Sequence, residues 1–458
     1  MKKSLFIILL AVSLLAVAEM ALVFHLVLGT GRVYKPVEFD LSFKPFTASE
    51  LLDFNLEVDT ATCGEKLQSD KLDTIDKRVS EIRELSFEKP TLFRECPESV
   101  VRYELMESIA EESSKEELEA DDKLLQALGL IEPDEDLEEI LTDVYTEQVA
   151  GFYDTESKSV TIVEGKSTGS VMDEVTMAHE ITHALQDQQF NLEEPPLEND
   201  DYNGDNDLAV LSLVEGDAMT TMLKYAREYV DIAKLMEEEL TGSEVASEEL
   251  EDAPPYIQRS LMFPYQEGML FVTALEKSGG KPAVDDAFRD PPLASEQIMH
   301  PEKYIDGGDG PREVPLSDIA GSLGDGWEMI NEDCMGEFDV NVWFEQYSGL
   351  IASVNAAGGW GGNSIQYYQG PGDDYVLVNM FAWDTPGDAE EFSGGYAELL
   401  EDRFEDELKE VERDSTRFVL EADGELFYCA VVGDRTLCVQ APDQQALDTA
   451  LENFPEYP

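Results

Sequence analysis

The chain has 458 residues, enough for two or three units with buried cores. Hydrophobic residues make up 43% of it, which excludes a disordered acidic polymer, yet 100 Asp and Glu against 31 Lys and Arg give a net charge of −69. There is no basic run, P-loop or dinucleotide fingerprint, so nucleic acid is not the expected partner, because phosphates need a basic face.

Repulsion on this scale loosens an ordinary domain in dilute buffer. At ~1 M salt the Debye length falls to about 3 Å and the repulsion is largely screened. The acidity therefore reads as adaptation to a saline solvent, as in a halophile, and carries no information about a basic partner.

Lys2 and Lys3 precede an apolar run from Leu5 to Leu28, interrupted by Glu19 and His25. About 20 apolar residues span a bilayer, and positive charge before such a run stays inside, which places the remaining chain outside. Ala16-Val-Ala18 is a small-x-small site, so cleavage of the segment remains open. The expectation is residues 1–30 as signal anchor or signal peptide, on a protein of the cell surface or, if cleaved, a secreted one. Five cysteines suit an exported chain. A turn at Gly433-Asp434 sets Cys429 and Cys438 opposite each other on neighbouring strands in a non-hydrogen-bonded pair, so a disulfide is expected there, with two free buried thiols as the alternative. Cys63 and Cys96 are a second candidate pair, leaving Cys334 odd.

Residues 41–148 read as mainly helical. Leu72, Ile75, Val79 and Ile82 keep helical spacing, a second helix covers 116–128, and a third follows Pro133 with Leu137, Ile140, Leu141 and Val144. The pattern then changes to a hairpin, 149–153 and 159–163, around Asp-Thr-Glu-Ser-Lys. Met177-Ala-His-Glu-Ile-Thr-His-Ala-Leu-Gln-Asp-Gln-Gln-Phe190 follows on a helix, then a loop at 191–206 and a long helix over about 207–236. Residues 237–252 read as an acidic solvated loop, and a further helix covers 266–277. A glycine-rich stretch, Gly358-Gly-Trp-Gly-Gly362, reads as a boundary. Beyond it strands at 364–369, 374–383, 416–421, 425–432 and 435–440, with helices at 388–404 and 443–454, suggest a small α+β unit. A ferredoxin-like plait is one arrangement that order allows. The domains are then 31–357 and 358–458.

On a helix, positions i and i+4 share a face, so His179 and His183 can reach one tetrahedral ion. Glu180 between them can take a proton from water activated by that ion. Flanking Thr176, Ala178, Ile181, Thr182, Ala184 and Leu185 are uncharged, as a buried helix requires. With four histidines in the chain, His-Glu-x-x-His arises by chance on the order of 0.01 times per sequence. Gln186 and Gln189 stand where a metzincin needs Gly and His, so the third ligand is sought on a later helix. Glu215 is the candidate, among Leu211, Leu213 and Val214, with Gly216 allowing close backbone approach and Asp217 as a candidate to orient an imidazole. His300 and Tyr304 are candidates to stabilise an oxyanion. The hairpin, Tyr153 to Val163, is a candidate edge for an extended peptide.

These residues resemble the gluzincin side of the zinc metallopeptidases, with Glu180 as general base and His179, His183 and Glu215 as zinc ligands. Gln148–Asp154, His179–Gln188, Val214–Ala218 and Glu296-Gln-Ile-Met-His-Pro-Glu-Lys-Tyr304 further resemble a haloarchaeal surface-protein family with bacterial relatives, over roughly residues 70 to 450. Its members are surface proteins or lipoproteins of unassigned activity, and this chain lacks their N-terminal lipobox cysteine. It also departs from the usual gluzincin third-ligand motif, having Met219 where an acid follows the glutamate by four.

The expected fold is α+β, a zincin-like, largely helical domain followed by the small C-terminal domain. The expected function is an extracytoplasmic, membrane-tethered zinc metallopeptidase acting on polypeptides with Zn2+ as cofactor. The alternative is a non-catalytic surface protein with a structural or vestigial metal site.

Overall fold

The computed structural model describes residues 63–64, 69–104, 114–148, 151–164, 169–199, 202–235, 250, 252–307, 309–372 and 374–457. The apolar run at 5–28 and most of the acidic segment 237–252 lie outside the described residues. Among the described residues no helix is long and apolar enough to cross a membrane. The protein is α+β, as its sequence pattern predicts.

The first unit opens with α1 (Asp70–Arg83), capped by the Ser69 side chain and burying Ile75, Val79 and Arg83. Strand β1 (Leu92–Cys96) follows, then α2 (Lys115–Leu128) and α3 (Leu137–Gln148). Strands β2 (Gly151–Asp154) and β3 (Ser159–Val163) form the expected hairpin. The sheet order is β1-β3-β2, with β1 parallel to β3, so β2 is an edge. Five residues without strict alternation left β1 unreadable within a stretch that otherwise reads as helix. Helix α4 (Val171–Phe190) starts on a Ser170–Asp173 capping box, and α5 (Gly204–Tyr229) starts on an Asn203 cap. Helix α6 (Pro255–Gly279) begins well before the expected 266 and carries Pro264 internally, and α7 (Lys281–Ala287) follows. Two short helices, α8 (Ser295–Met299) and α9 (Pro301–Ile305), hold the segment from Glu296 to Tyr304.

Helix α10 (Ala320–Leu323) leads into the second unit. It consists of β4 (Glu328–Asp333), α11 (Glu337–Ser348), α12 (Leu350–Ala357), β5 (Trp360–Gln369), β6 (Tyr375–Trp383), α13 (Pro386–Phe404), β7 (Lys409–Arg413), β8 (Arg417–Ala422), β9 (Glu425–Val432), β10 (Arg435–Ala441) and α14 (Gln444–Leu451). The sheet runs β4-β5-β6-β10-β9-β8-β7, antiparallel throughout. Trp343 and Phe344 of α11, with Phe392 and Tyr396 of α13, pack on one face. Ile319 before α10, and Leu447 and Ala450 of α14, pack on the other. Seven antiparallel strands covered on both faces are not a ferredoxin-like plait, so that expectation is corrected.

The expected boundary at 358 also moves. β4 pairs with β5, so the sheet unit begins near residue 327, ahead of the glycine-rich stretch. Those glycines serve the sheet itself. A bulge interrupts the register between Trp360 and Gly362, and a Cβ on Gly362 would lie 2.2 Å from the Arg312 carbonyl oxygen.

Cys63 and Cys96 form a disulfide that ties residue 63 to the end of β1. Cys429 and Cys438 face each other in the expected register, with Sγ atoms 3.2 Å apart, but as free thiols. The hairpin turn decides which residues oppose one another; it does not decide whether the sulfurs bond.

Candidate metal centre

Helices α4 and α5 pack against each other, and Gly216 brings α6 against the same region of α5. A Cβ on Gly216 would lie 2.2 Å from the carbonyl carbon of Gly268 in α6, so only glycine permits this approach. At that contact α5 turns Glu215 toward the exposed face of neither helix; the carboxylate is fully buried.

His179, His183 and Glu215 converge. His179 Nε2 lies 3.1 Å from Glu215 Oε2 and 3.0 Å from His183 Nε2, and His183 Nε2 lies 3.5 Å from Glu215 Oε2. A tetrahedral ion with ligand bonds of about 2.0–2.1 Å separates its donors by about 3.3 Å, which is the spacing seen here. The residues thus form a possible metal-binding triad, found among the described residues. Glu215 Oε1 and His179 Nδ1 are buried without hydrogen-bond partners. Two rings and an acid packed so closely away from water need a positive charge between them.

In the protein alone a proton supplies that charge. Burial works against ionisation of Glu215, but His183 and His179 outweigh it and hold the carboxyl at about 2. Burial likewise opposes the charged form of His183, but Glu215 beside it, with Glu180 and Gln186, raises the imidazole to about 9. A divalent cation offers the same compensation with three direct bonds.

Glu180 is 1% exposed, and its Oε2 accepts the backbone N–H of Tyr153 at 2.8 Å. Edge strand β2 therefore turns its free side toward the Glu180 carboxylate, next to the triad. The Tyr153 hydroxyl donates to Asp187 Oδ2 at 2.7 Å, which fixes β2 to α4 at a second point. Tyr265 of α6 stacks on His179 with ring centroids 6.3 Å apart.

Asp217 does not touch an imidazole directly, as the sequence suggested it could. Gln186 stands between. His183 Nδ1 lies 2.9 Å from Gln186 Oε1, and Gln186 Nε2 donates to the Val214 carbonyl at 3.0 Å and to Asp217 Oδ2 at 2.9 Å. Arg83 of α1, also fully buried, donates through Nε to the same Asp217 oxygen at 2.8 Å and through Nη2 to Asp285 at 2.9 Å. Helix α1 is thus built into the support of the site. Gln186 was discoverable from its place three positions after His183 on one helix face. Arg83, 134 residues from its partner, left no sequence signal.

His300 and Tyr304 make their hydrogen bonds outside this cluster. His300 Nε2 bonds Glu337 Oε1 at 3.0 Å, and that hydrogen bond chiefly raises its pKa. The Tyr304 hydroxyl donates to the Asp290 carbonyl at 2.6 Å. Neither has a polar contact with His179, His183 or Glu215. Lys303 between them bridges Glu296 to Asp384 of the second unit, so the segment joins the two units.

Residues 327–451 match a family described as a domain of unknown function, DUF8575. That span coincides with the seven-stranded sheet unit and excludes the triad. Comparison with curated proteins and with solved structures gives no match.

Proposed function

We propose that the chain is a zinc metallopeptidase of the gluzincin type, with His179, His183 and Glu215 as ligands and Glu180 as general base. The observation that carries this reading is the set of three donors spaced for a tetrahedral ion, with a second carboxylate, Glu180, alongside. Two imidazoles and one carboxylate suit zinc, and a three-ligand set leaves a position open for chemistry, whereas structural zinc sites are closed by four protein ligands. A zinc ion held there supplies Lewis acidity, which makes water a nucleophile near neutral pH and polarises a carbonyl. The Tyr153 amide holds Glu180 in one orientation, from which it removes a proton from water and delivers it to the leaving amine. The outward edge of β2 beside Glu180 is where an extended polypeptide would align. His300 and Tyr304, bonded elsewhere, are given no catalytic part. The apolar run at 5–28 and the acidic surface support a protein tethered at, or secreted from, the surface of a cell in saline medium.

One observation favours a second reading: all three ligands are buried, as in a centre that only holds the fold together. Metal analysis at high salt together with hydrolysis of denatured protein separates the two. One zinc per chain is expected, lost in His179→Ala and Glu215→Ala, with Glu180→Gln keeping zinc and losing hydrolysis by at least 10²-fold. Zinc retained in both ligand variants would sink the metal centre. Wild-type protein that holds zinc yet leaves polypeptide uncut would assign the centre a structural role.

A further inference from the structure

His183 and the buried groups behind it form an unbroken file: imidazole, amide, carboxylate, guanidinium. The hydrogen-bonding capacity of each member fixes the next. Gln186 Nε2 faces two acceptors, the Val214 carbonyl and Asp217 Oδ2, so the amide nitrogen must point that way. Its oxygen is then the atom 2.9 Å from His183 Nδ1. An amide oxygen cannot donate, so Nδ1 carries a hydrogen in either charge state of the ring. Nε2, the atom facing His179 and Glu215, is the nitrogen whose lone pair is freed for an ion when its own proton leaves.

We propose that Gln186 is a positioning residue that sets the tautomer of His183 for metal binding, and that Asp217 and Arg83 act through it. The inference rests on the metal-centre reading above and adds how one ligand is held. Asp217 fixes the amide's orientation, and Arg83, anchored on its other side by Asp285, holds the buried Asp217 side chain in place. The Asp217 carboxyl group thus stands one residue further from the imidazole than in a site where a carboxylate meets the ring directly. His179 has no such support: its Nδ1 is without a partner, and its ring is held by packing against Tyr265. The two imidazoles are therefore unequal, with the tautomer preset on one of them only.

The test uses Gln186→Met, which keeps the side-chain length and removes the acceptor, and Asp217→Asn, which keeps the shape and weakens the hold on Gln186. Zinc affinity is measured on the whole chain at high salt by competition with a chromogenic chelator. Folding of the metal-free variants is monitored by circular dichroism. In the zinc-loaded protein the His183 Nδ1 proton is followed by downfield NMR. Gln186→Met is expected to weaken zinc 10–100-fold and to lose the proton signal, and Asp217→Asn to weaken it about tenfold. Wild-type affinity and an unchanged proton in Gln186→Met would overturn the relay. If Gln186→Met does not fold, unchanged affinity in Asp217→Asn overturns it instead. A wild-type chain that takes up no zinc removes the metal centre itself, a separate outcome from unaltered affinity in the variants.

Discussion

Gly216 and Gly268 meet backbone to backbone where α5 crosses α6, and the residue beside Gly216 is Glu215. A Cβ on Gly216 would sit 2.2 Å from the Gly268 carbonyl carbon and 2.8 Å from the Met269 nitrogen. These are backbone atoms that cannot swing aside. Gly216→Ala gains about 1 kcal/mol of helix propensity but incurs overpacking of about 1–3 kcal/mol or more. A net loss of stability is expected in chemical denaturation, together with weaker metal binding as Glu215 shifts. An alanine variant as stable as the wild type would mean the helices can part freely.

Asp205, near the start of α5, is a buried carboxyl whose Oδ2 has no hydrogen-bond partner; its other oxygen accepts the Ser295 amide at 3.0 Å. Burial raises its pKa to about 8, opposed by the Ser295 hydrogen bonds and reinforced by the nearby Asp339 and Asp333. A folded pKa above the unfolded one means the folded state binds the extra proton, so this contribution is full at pH below about 4 and is lost as pH rises through about 8. Asp205→Asn mimics the protonated acid. Its stability relative to wild type is expected to rise between pH 5 and pH 9, by about 1.4 kcal/mol per pH unit at most. A difference that stays flat with pH would show that Asp205 is ionised in the folded state.

Cys429 and Cys438 are directly opposed and unbonded, with sulfurs 3.2 Å apart. In a thiol–disulfide exchange with a low-molecular-weight disulfide, one thiolate displaces a thiol from the reagent and its neighbour then displaces the second. Two electrons pass to the reagent, and the two protons end on the two thiols it releases. Intact mass after refolding with such a reagent is expected to show a bridge in this pair in addition to Cys63–Cys96. Two alkylatable thiols remaining at 429 and 438 would mean that strand geometry holds them apart.

The excess of acids over bases predicts a stability that depends on salt. Raising salt from ~0.1 M to ~1 M shortens the Debye length from about 10 Å to about 3 Å. The melting temperature is expected to rise across that range. The chain would not be salt-adapted if the melting temperature were level or falling.

The sequence by itself determined the local pieces. Helical spacing located α1 to α5, the Gly433-Asp434 turn set the opposed cysteines, and His-Glu-x-x-His set two donors on one face, because each depends on neighbours within a few residues. It also pointed to Glu215 and to the close approach at Gly216, since an acid and a glycine in an apolar helix are informative wherever they occur. Only the tertiary structure decided what crosses between elements. It placed Arg83 behind Asp217, turned the β2 edge onto Glu180, set His300 against Glu337 and moved the second unit's start ahead of β4. These contacts join residues tens to hundreds of positions apart, and their energy lies in burial and pairing that no local pattern encodes.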